Sequence, residues 1–492
     1  MNPSTDFNLT PSPITFYCVL AFYLLIMGYI GWYSSRKTDS LSEFFVMNAK
    51  AGAILSGLAY FATQYSMSTF MGVPGTIYKV GYAGLAVSVP GLVFSMIIPA
   101  LLVGRKLIIL GKKYNFLTMA DYLADRYESK GLRVLLALMM IIFLIPMMGA
   151  QTIGAGVIVN IFTGLPVYVG VIGMGIIVIF YCMAGGIRGA MITDVIQGLL
   201  MLATAVVTFV LSIKLGGGLT NITESLKSNP ELLSFPGTDN YMPWQNYVSQ
   251  IVLWSFFTIG QPHLFTKFFA MKDHKVMFKS ILLGTAGMWI AATLIELSGV
   301  HAITFLPKLT AENIDKVVPM ILQAGLNPIF ASVLIAGIVA AGMSTIDSVL
   351  IMTTGAITRD LYQRVINKNA TDDQVMQLSK YITVGIGILV IIFGVSRPST
   401  IFQIVLFAFG GMGAFVVPIL FGMYYKKSTK EAALCSVVVT VVLMILMTFK
   451  FKEFAFGFHP LIVSSIIGAI VFLIVCAFTQ APSEETIKRH FY

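Results

Sequence analysis

The sequence predicts an all-α polytopic membrane protein of about thirteen transmembrane helices. Three observations predict it. The 492 residues are 57% hydrophobic and only 11% charged, with a mean hydropathy of +0.86. A soluble domain carries roughly 25% charged residues, so a soluble fold of this size is excluded. The apolar runs are continuous rather than alternating, which argues against an outer-membrane barrel. They also recur at the roughly 20 residues that a bilayer-crossing helix needs. A disordered chain is excluded by the 36 Phe and 27 Met.

The expected spans lie at about 13–34, 51–77, 81–109, 131–161, 165–183, 189–215, 245–270, 277–305, 327–362, 376–396, 399–424, 430–449 and 458–479. No connection is long enough for a separate soluble domain, so 1–492 reads as a single membrane domain. The opening MNPSTDFNLT holds Asp6 and no Lys or Arg. A cleavable signal starts with a basic stretch, so the first helix is expected to stay. Cys18, Cys182, Cys435 and Cys476 all sit inside apolar runs and form no CxxC. They read as small core hydrophobes.

The net charge of +10 could suggest nucleic acid, but topology explains it. With the N-terminus outside and the spans alternating, 24 of the 32 Lys and Arg fall on inner segments and 8 on outer ones. Lys267 is counted in the inner set, beside Lys272, Lys275 and Lys279. That bias predicts a multi-pass protein of the cell (inner or plasma) membrane with a cytoplasmic C-terminus.

Two spans are interrupted. TQYSMSTFMGVPG (63–75) breaks the second and TIGQPH (258–263) breaks the seventh. Either alone fits a Pro-kinked packing helix. Their separation by five spans predicts a five-plus-five inverted repeat with broken helices and a site at the midplane. The repeats would cover 51–215 and 245–424, with 13–34 and 430–479 as accessory helices.

Intramembrane acids are expensive and mark function. Here they are Asp194, Glu296 and Asp347. Asp194 and Asp347 lie near inner span ends, where partial solvation also accounts for them. Glu296 lies deeper, and a satisfied hydrogen bond or a protonated carboxyl also accounts for it. In GIVAAGMSTIDSVL (337–350), Ala341, Ser344, Thr345 and Ser348 share one helix face. With carbonyls from a broken partner helix, those hydroxyls would form a neutral oxygen cage for a monovalent cation. Spacing alone fits a small-residue packing stripe at least as well, with the hydroxyls bonded back one turn.

Several segments together resemble the solute:sodium symporter family over about residues 13–480. They are SLSEFFVMNAKAG (40–52), FATQYSMSTFMGVPG (61–75), GGIRGAMITDVIQG (185–198), GQPHLFTKFFAMKD (260–273), AAGMSTIDS (340–348), TRDLYQ (358–363) and YYKKSTKEAA (424–433). The resemblance implies thirteen helices on a LeuT-like five-plus-five repeat. It implies a main sodium site of the Ala62, Tyr65 and Ala341 carbonyls with the Ser344 and Thr345 hydroxyls. A second cation or proton site is implied at Asp194, Ser344, Asp347 and Ser348. Asp347 departs from the family there, where members carry serine. Substrate positions carried over are Thr63, Gln64, Ser66, Thr69, Ser88, Gln151, Trp254, Thr258 and Pro262, with Glu296 as a coupling residue.

The branches of the family point in different directions. Thr63-Gln64 stands where proline members carry Ser-Asp. Met147 stands near the arginine of sialic-acid members. GTIYKVGYAG (75–84) and LGKKYNFLTMADYLADRY (110–127) are similar to the pantothenate branch. The resemblance therefore implies a small carboxylate or amino-acid-like nutrient, co-transported with Na+ by alternating access. The expected partners are that small molecule and the lipid bilayer, with no nucleic acid and no obligatory protein partner evident. Proton coupling on the same fold is the alternative, followed by a passive channel or uniporter. A channel lacks support, since no selectivity-filter repeat or ring of acids occurs. With five His and neither HExxH nor GxSxG, an enzyme is not expected. The short tail after the last span leaves no room for a fused signalling domain.

Overall fold

Hydrophobic runs in a bilayer must satisfy every backbone amide internally, and a helix does so within one segment. The computed structural model, which describes residues 13–36, 41–310 and 313–491, is helical accordingly. Among the described residues the β-type pairing is an isolated bridge between Ala51 and Met271. Among the described residues, ten helices are long and apolar enough to cross a membrane.

The shortfall from thirteen has a physical cause. Two expected spans, 51–77 and 245–270, are each split into shorter helices: Ala53–Gln64 and Val73–Val80, then Trp244–Ser255 and Pro262–Ala270. The third, 165–183, is the start of a helical run of 49 residues, Val167–Leu215. Its two apolar stretches are Val167–Phe180 and Ile187–Leu215. At about 1.5 Å per residue that run is more than twice the roughly 30 Å hydrocarbon thickness, enough for two crossings.

Polar caps set where helices begin. The Asp273 carboxylate accepts the Val276 N–H at 2.8 Å, and Asn327 accepts that of Phe330 at 3.1 Å. Thr371 and Gln374 cap one another reciprocally at the start of Asp372–Ser396. Between helices, small residues let backbones touch. A Cβ added at Gly57 would lie 2.9 Å from the Ser280 carbonyl, so Ala53–Gln64 packs directly on His274–Ala302.

The outer surface suits lipid rather than water. Phe22, Leu25, Leu282 and Phe478 are all at least two-thirds exposed. Cys18 and Cys435 are exposed too, so only Cys182 and Cys476 are the core residues expected of all four. The two broken segments meet at one end. The Ala51 N–H bonds the Ala270 carbonyl at 3.0 Å, and the Lys272 N–H bonds Ala51 at 3.1 Å. That pair of hydrogen bonds ties the start of the first broken helix to the end of the second.

Candidate binding site at the broken helices

The first break follows from backbone geometry. Tyr65 is extended (φ −88°, ψ 117°), and its N–H, bonded to Phe61 at 3.0 Å, is the last to complete the helix. The next three N–H groups turn to side chains. Ser66 bonds Thr69 Oγ1 at 3.5 Å, Met67 bonds Gln151 Oε1 at 2.8 Å, and Ser68 bonds Ser66 Oγ at 3.1 Å. Carbonyls upstream are released in exchange. Ser344 Oγ donates to Ala62 O at 2.8 Å, and Thr345 Oγ1 donates to Thr63 O at 3.2 Å.

Both hydroxyls also reach back to Ala341 O, each at 3.1 Å. The back-bonded and cross-helix arrangements weighed from the sequence thus coexist. Three carbonyls and two hydroxyls converge, and Ala62, Ala341, Ser344 and Thr345 are wholly buried. This is a neutral all-oxygen donor set, the chemistry that fits a hard cation. Thr63 O is the member sequence reading missed. Tyr65 itself is held by its hydroxyl on Met288 O and by its ring between Phe61 and Phe70.

At the second break a short 3-10 turn, Phe257–Gly260, runs into Gln261 (φ −88°, ψ 111°) before Pro262 restarts the helix. Gln261 Nε2 anchors the break on Phe409 O at 3.0 Å. Gly260 is required here, because a Cβ would sit 2.6 Å from Met412 O.

A small cavity of about 20 Å³ lies between the breaks. Thr63, Gln64, Ser66, Thr69 and Trp254, all expected at the substrate site, line it. Gln151, Thr258 and Pro262 do not. Gln151 satisfies the first break, and the Thr258 hydroxyl donates to its own helix at Trp254 O, 2.6 Å away. The Ser88 side chain lies outside the described residues. His263, Met147 and Phe409 are also among the lining residues. His263 is buried and its Nδ1 has no hydrogen-bond partner. The signal for it was present in GQPH, a lone histidine at a helix break inside a membrane span.

The buried acids separate into two places. Glu296 is fully buried on His274–Ala302 and interacts with Tyr65. Asp194 and Asp347 are together and have a third member, Lys267. Lys267 Nζ bonds Asp194 Oδ2 at 2.9 Å, and both side chains are wholly buried. Lys267 was counted as an inner-loop charge; the structure corrects that. Helix Pro262–Ala270 starts inside the membrane, so its sixth residue is still enclosed. Asp194 also accepts from Thr63 Oγ1 at 3.2 Å, and Thr63 Oγ1 lies 3.2 Å from Ser348 Oγ.

An integral membrane protein with broken helices around an oxygen cluster and an internal cavity is a secondary transporter in architecture. The model of the Sodium:solute symporter family matches residues 44–440, and the chain belongs to that family. It is 30% identical to the sodium/pantothenate symporter of Escherichia coli (strain K12) over 478 residues, 95% of this chain and 97% of that protein. It is 26% identical to the sodium/proline symporter of Staphylococcus aureus (strain NCTC 8325 / PS 47) over 485 residues, 95% of this chain and 93% of that one. Among solved structures, a Na+-coupled sialic acid symporter in a substrate-bound outward-open state shares the fold. Its TM-score is 0.81 at 19% identity, covering 95% of this chain and 98% of that chain. The protein is a transporter and not an enzyme.

Proposed function

We propose that the chain imports a small carboxylate or amino-acid-like nutrient together with sodium, by alternating access. The supporting observation is the oxygen cluster of Ala62, Thr63 and Ala341 carbonyls with the Ser344 and Thr345 hydroxyls. It joins the broken helix to Pro328–Gly355, so a cation held there stabilises one arrangement of the two over another. Differential binding of that kind couples an ion to a conformational change. Tyr65 O is the further ligand this reading includes.

The substrate is taken by the cavity between the breaks, against Thr63, Gln64, Ser66, Thr69 and Trp254, with His263 added. A cavity of about 20 Å³ holds little more than one water, so a nutrient enters only when the broken helices move apart. On this reading thirteen spans form a five-plus-five repeat, with the N-terminus outside and the C-terminus in the cytoplasm. Pantothenate and proline, named for the relatives at 30% and 26% identity, head the substrate candidates.

The test is a thermal-shift screen of detergent-purified protein with a nutrient library, with and without sodium. Uptake of the hits into proteoliposomes follows. The expected result is stabilisation that needs sodium and uptake driven by a sodium gradient. Uptake indifferent to sodium would sink the proposal. One observation favours a second reading, in which a proton is co-transported. Asp347 is buried beside a second acid, Asp194, and uptake driven by a pH gradient without sodium would select it.

A further inference from the structure

Lys267, Asp194 and Asp347 form a buried ionic group within the membrane region. The ammonium and the Asp194 carboxylate meet, with Asp347 nearby, where the family resemblance implies a second cation or proton site. Three of the four ligands expected for that site are already engaged, with Asp194 Oδ1 left free among the described residues. Asp194 Oδ2 accepts from Lys267 Nζ at 2.9 Å and from Thr63 Oγ1 at 3.2 Å. Ser344 Oγ is on the Ala62 and Ala341 carbonyls, at 2.8 and 3.1 Å. Ser348 Oγ lies 3.2 Å from Thr63 Oγ1. Asp347 is buried too, and its neighbours are Asp194, Lys267 and Ser348.

We infer that the Lys267 ammonium is a tethered cation that occupies the second-cation position, so this chain binds a single sodium ion. An ammonium carries the charge of a sodium ion and has the donors that carboxylate and hydroxyl oxygens accept. Held at 2.9 Å on a wholly buried carboxylate, it gives Asp194 the positive partner that burial demands. A free cation entering there would meet a like charge with no water to screen it. Because Lys267 is fixed to helix Pro262–Ala270, its charge moves with that helix and does not cross with the substrate. The position is thus converted from a transported ion to a permanent link between Asp194 and the second broken helix.

This inference rests on the sodium-symport reading, and the experiment separates the two. Equilibrium binding of radiolabelled sodium is measured on the full-length protein in detergent, with potassium balancing ionic strength, and sodium bound per chain is counted. The wild type is expected to bind one, and Lys267→Arg, which keeps the charge, is also expected to bind one. Lys267→Met removes the charge and exposes Asp194 to solution cations, so the count is expected to double. A merely structural lysine would leave the count unchanged in a folded variant. Two sodium ions on each wild-type chain overturn the assignment of Lys267 while leaving sodium symport intact. A folded Lys267→Met protein that still binds one overturns it as well. No sodium bound by the wild type overturns both readings. If Lys267→Met does not fold, the wild-type count decides by itself.

Discussion

Asp121 and Asp194 are both buried acids with basic partners, and they are satisfied very differently. Asp121 opens the short helix Met119–Arg126, outside the ten long spans. One of its oxygens takes Arg133 at 3.0 Å; the other takes Arg359 at 2.6 Å and the Leu117 N–H at 2.9 Å. Arg133 also bonds Asp360 at 2.7 Å, and Thr118 donates to Asp360 at 3.2 Å. Around Asp194 the pattern is incomplete. Asp194 Oδ1 has no hydrogen-bond partner among the described residues, and Asp347 interacts with its chain neighbour Ser348.

A saturated polar network holds one arrangement, because every alternative leaves a buried group unpaired. A network that keeps free acceptors is determined less tightly. The first cluster therefore reads as a pin that joins Met119–Arg126, Lys130–Thr163 and the end of the long helix from Pro328. The second, held chiefly by the Lys267–Asp194 pair, is the less tightly determined of the two.

Breaking the pin should give the largest effect. Arg359→Ala leaves Asp121 and Asp360 buried with half their positive charge gone, and loss of one partner of a buried pair destabilises by about 3–5 kcal/mol. A large fall of the thermal midpoint in detergent is expected, and an unchanged midpoint would end the claim that the cluster is a pin. At the oxygen cluster, Ser344→Ala and Thr345→Ala would each, on the proposed sodium-symport reading, remove a ligand to a charged species, worth about 1.5–3 kcal/mol. Sodium for half-maximal uptake or stabilisation should rise roughly 10- to 100-fold, with Thr345→Ser near wild type.

Acid sharpens the contrast. Burial pushes the Asp121 carboxyl up, but Arg359, Arg133 and the Leu117 N–H outweigh burial and hold it down to about 2 from 3.8. A depressed carboxyl stabilises the fold above its unfolded value and loses that contribution as pH falls through its folded value. The window lies between about pH 4 and pH 2, and the contribution is at most about 2 kcal/mol. Asp121→Asn should flatten the thermal midpoint across that window. The smallest effect is expected at His263, where a neutral hydrogen bond to substrate is worth about 0.5–1.5 kcal/mol. His263→Phe should weaken substrate binding roughly 2- to 10-fold while leaving the sodium requirement of the oxygen cluster unchanged. A shifted sodium requirement would instead tie His263 to its neighbour Lys267.

Much of this was legible along the chain. Both breaks fall where Thr, Ser, Gln, Gly and Pro interrupt apolar runs. The hydroxyl face of Pro328–Gly355 followed from helical spacing. Five of the nine expected substrate residues line the cavity. The misses share a cause. Gln151 was placed at the substrate site by the family resemblance. Its partner is the Met67 N–H, freed by a break 84 positions away. Lys267 was assigned to a loop because span counting treats a basic residue near a span end as solvated. A half-helix that begins inside the membrane defeats that rule.

The sequence by itself determined the membrane class, the family, the positions of the two breaks and the presence of costly acids. These are local properties: hydropathy, helix propensity and backbone freedom are set by neighbours along the chain. Only the tertiary structure decided which freed groups meet. Ser344 reaches Ala62 across 282 positions, Thr63 reaches Asp194 across 131, and Lys267 reaches Asp194 across 73. Such pairings depend on how whole helices pack, since a buried polar group in a bilayer takes its partner from whichever helix packing brings within reach.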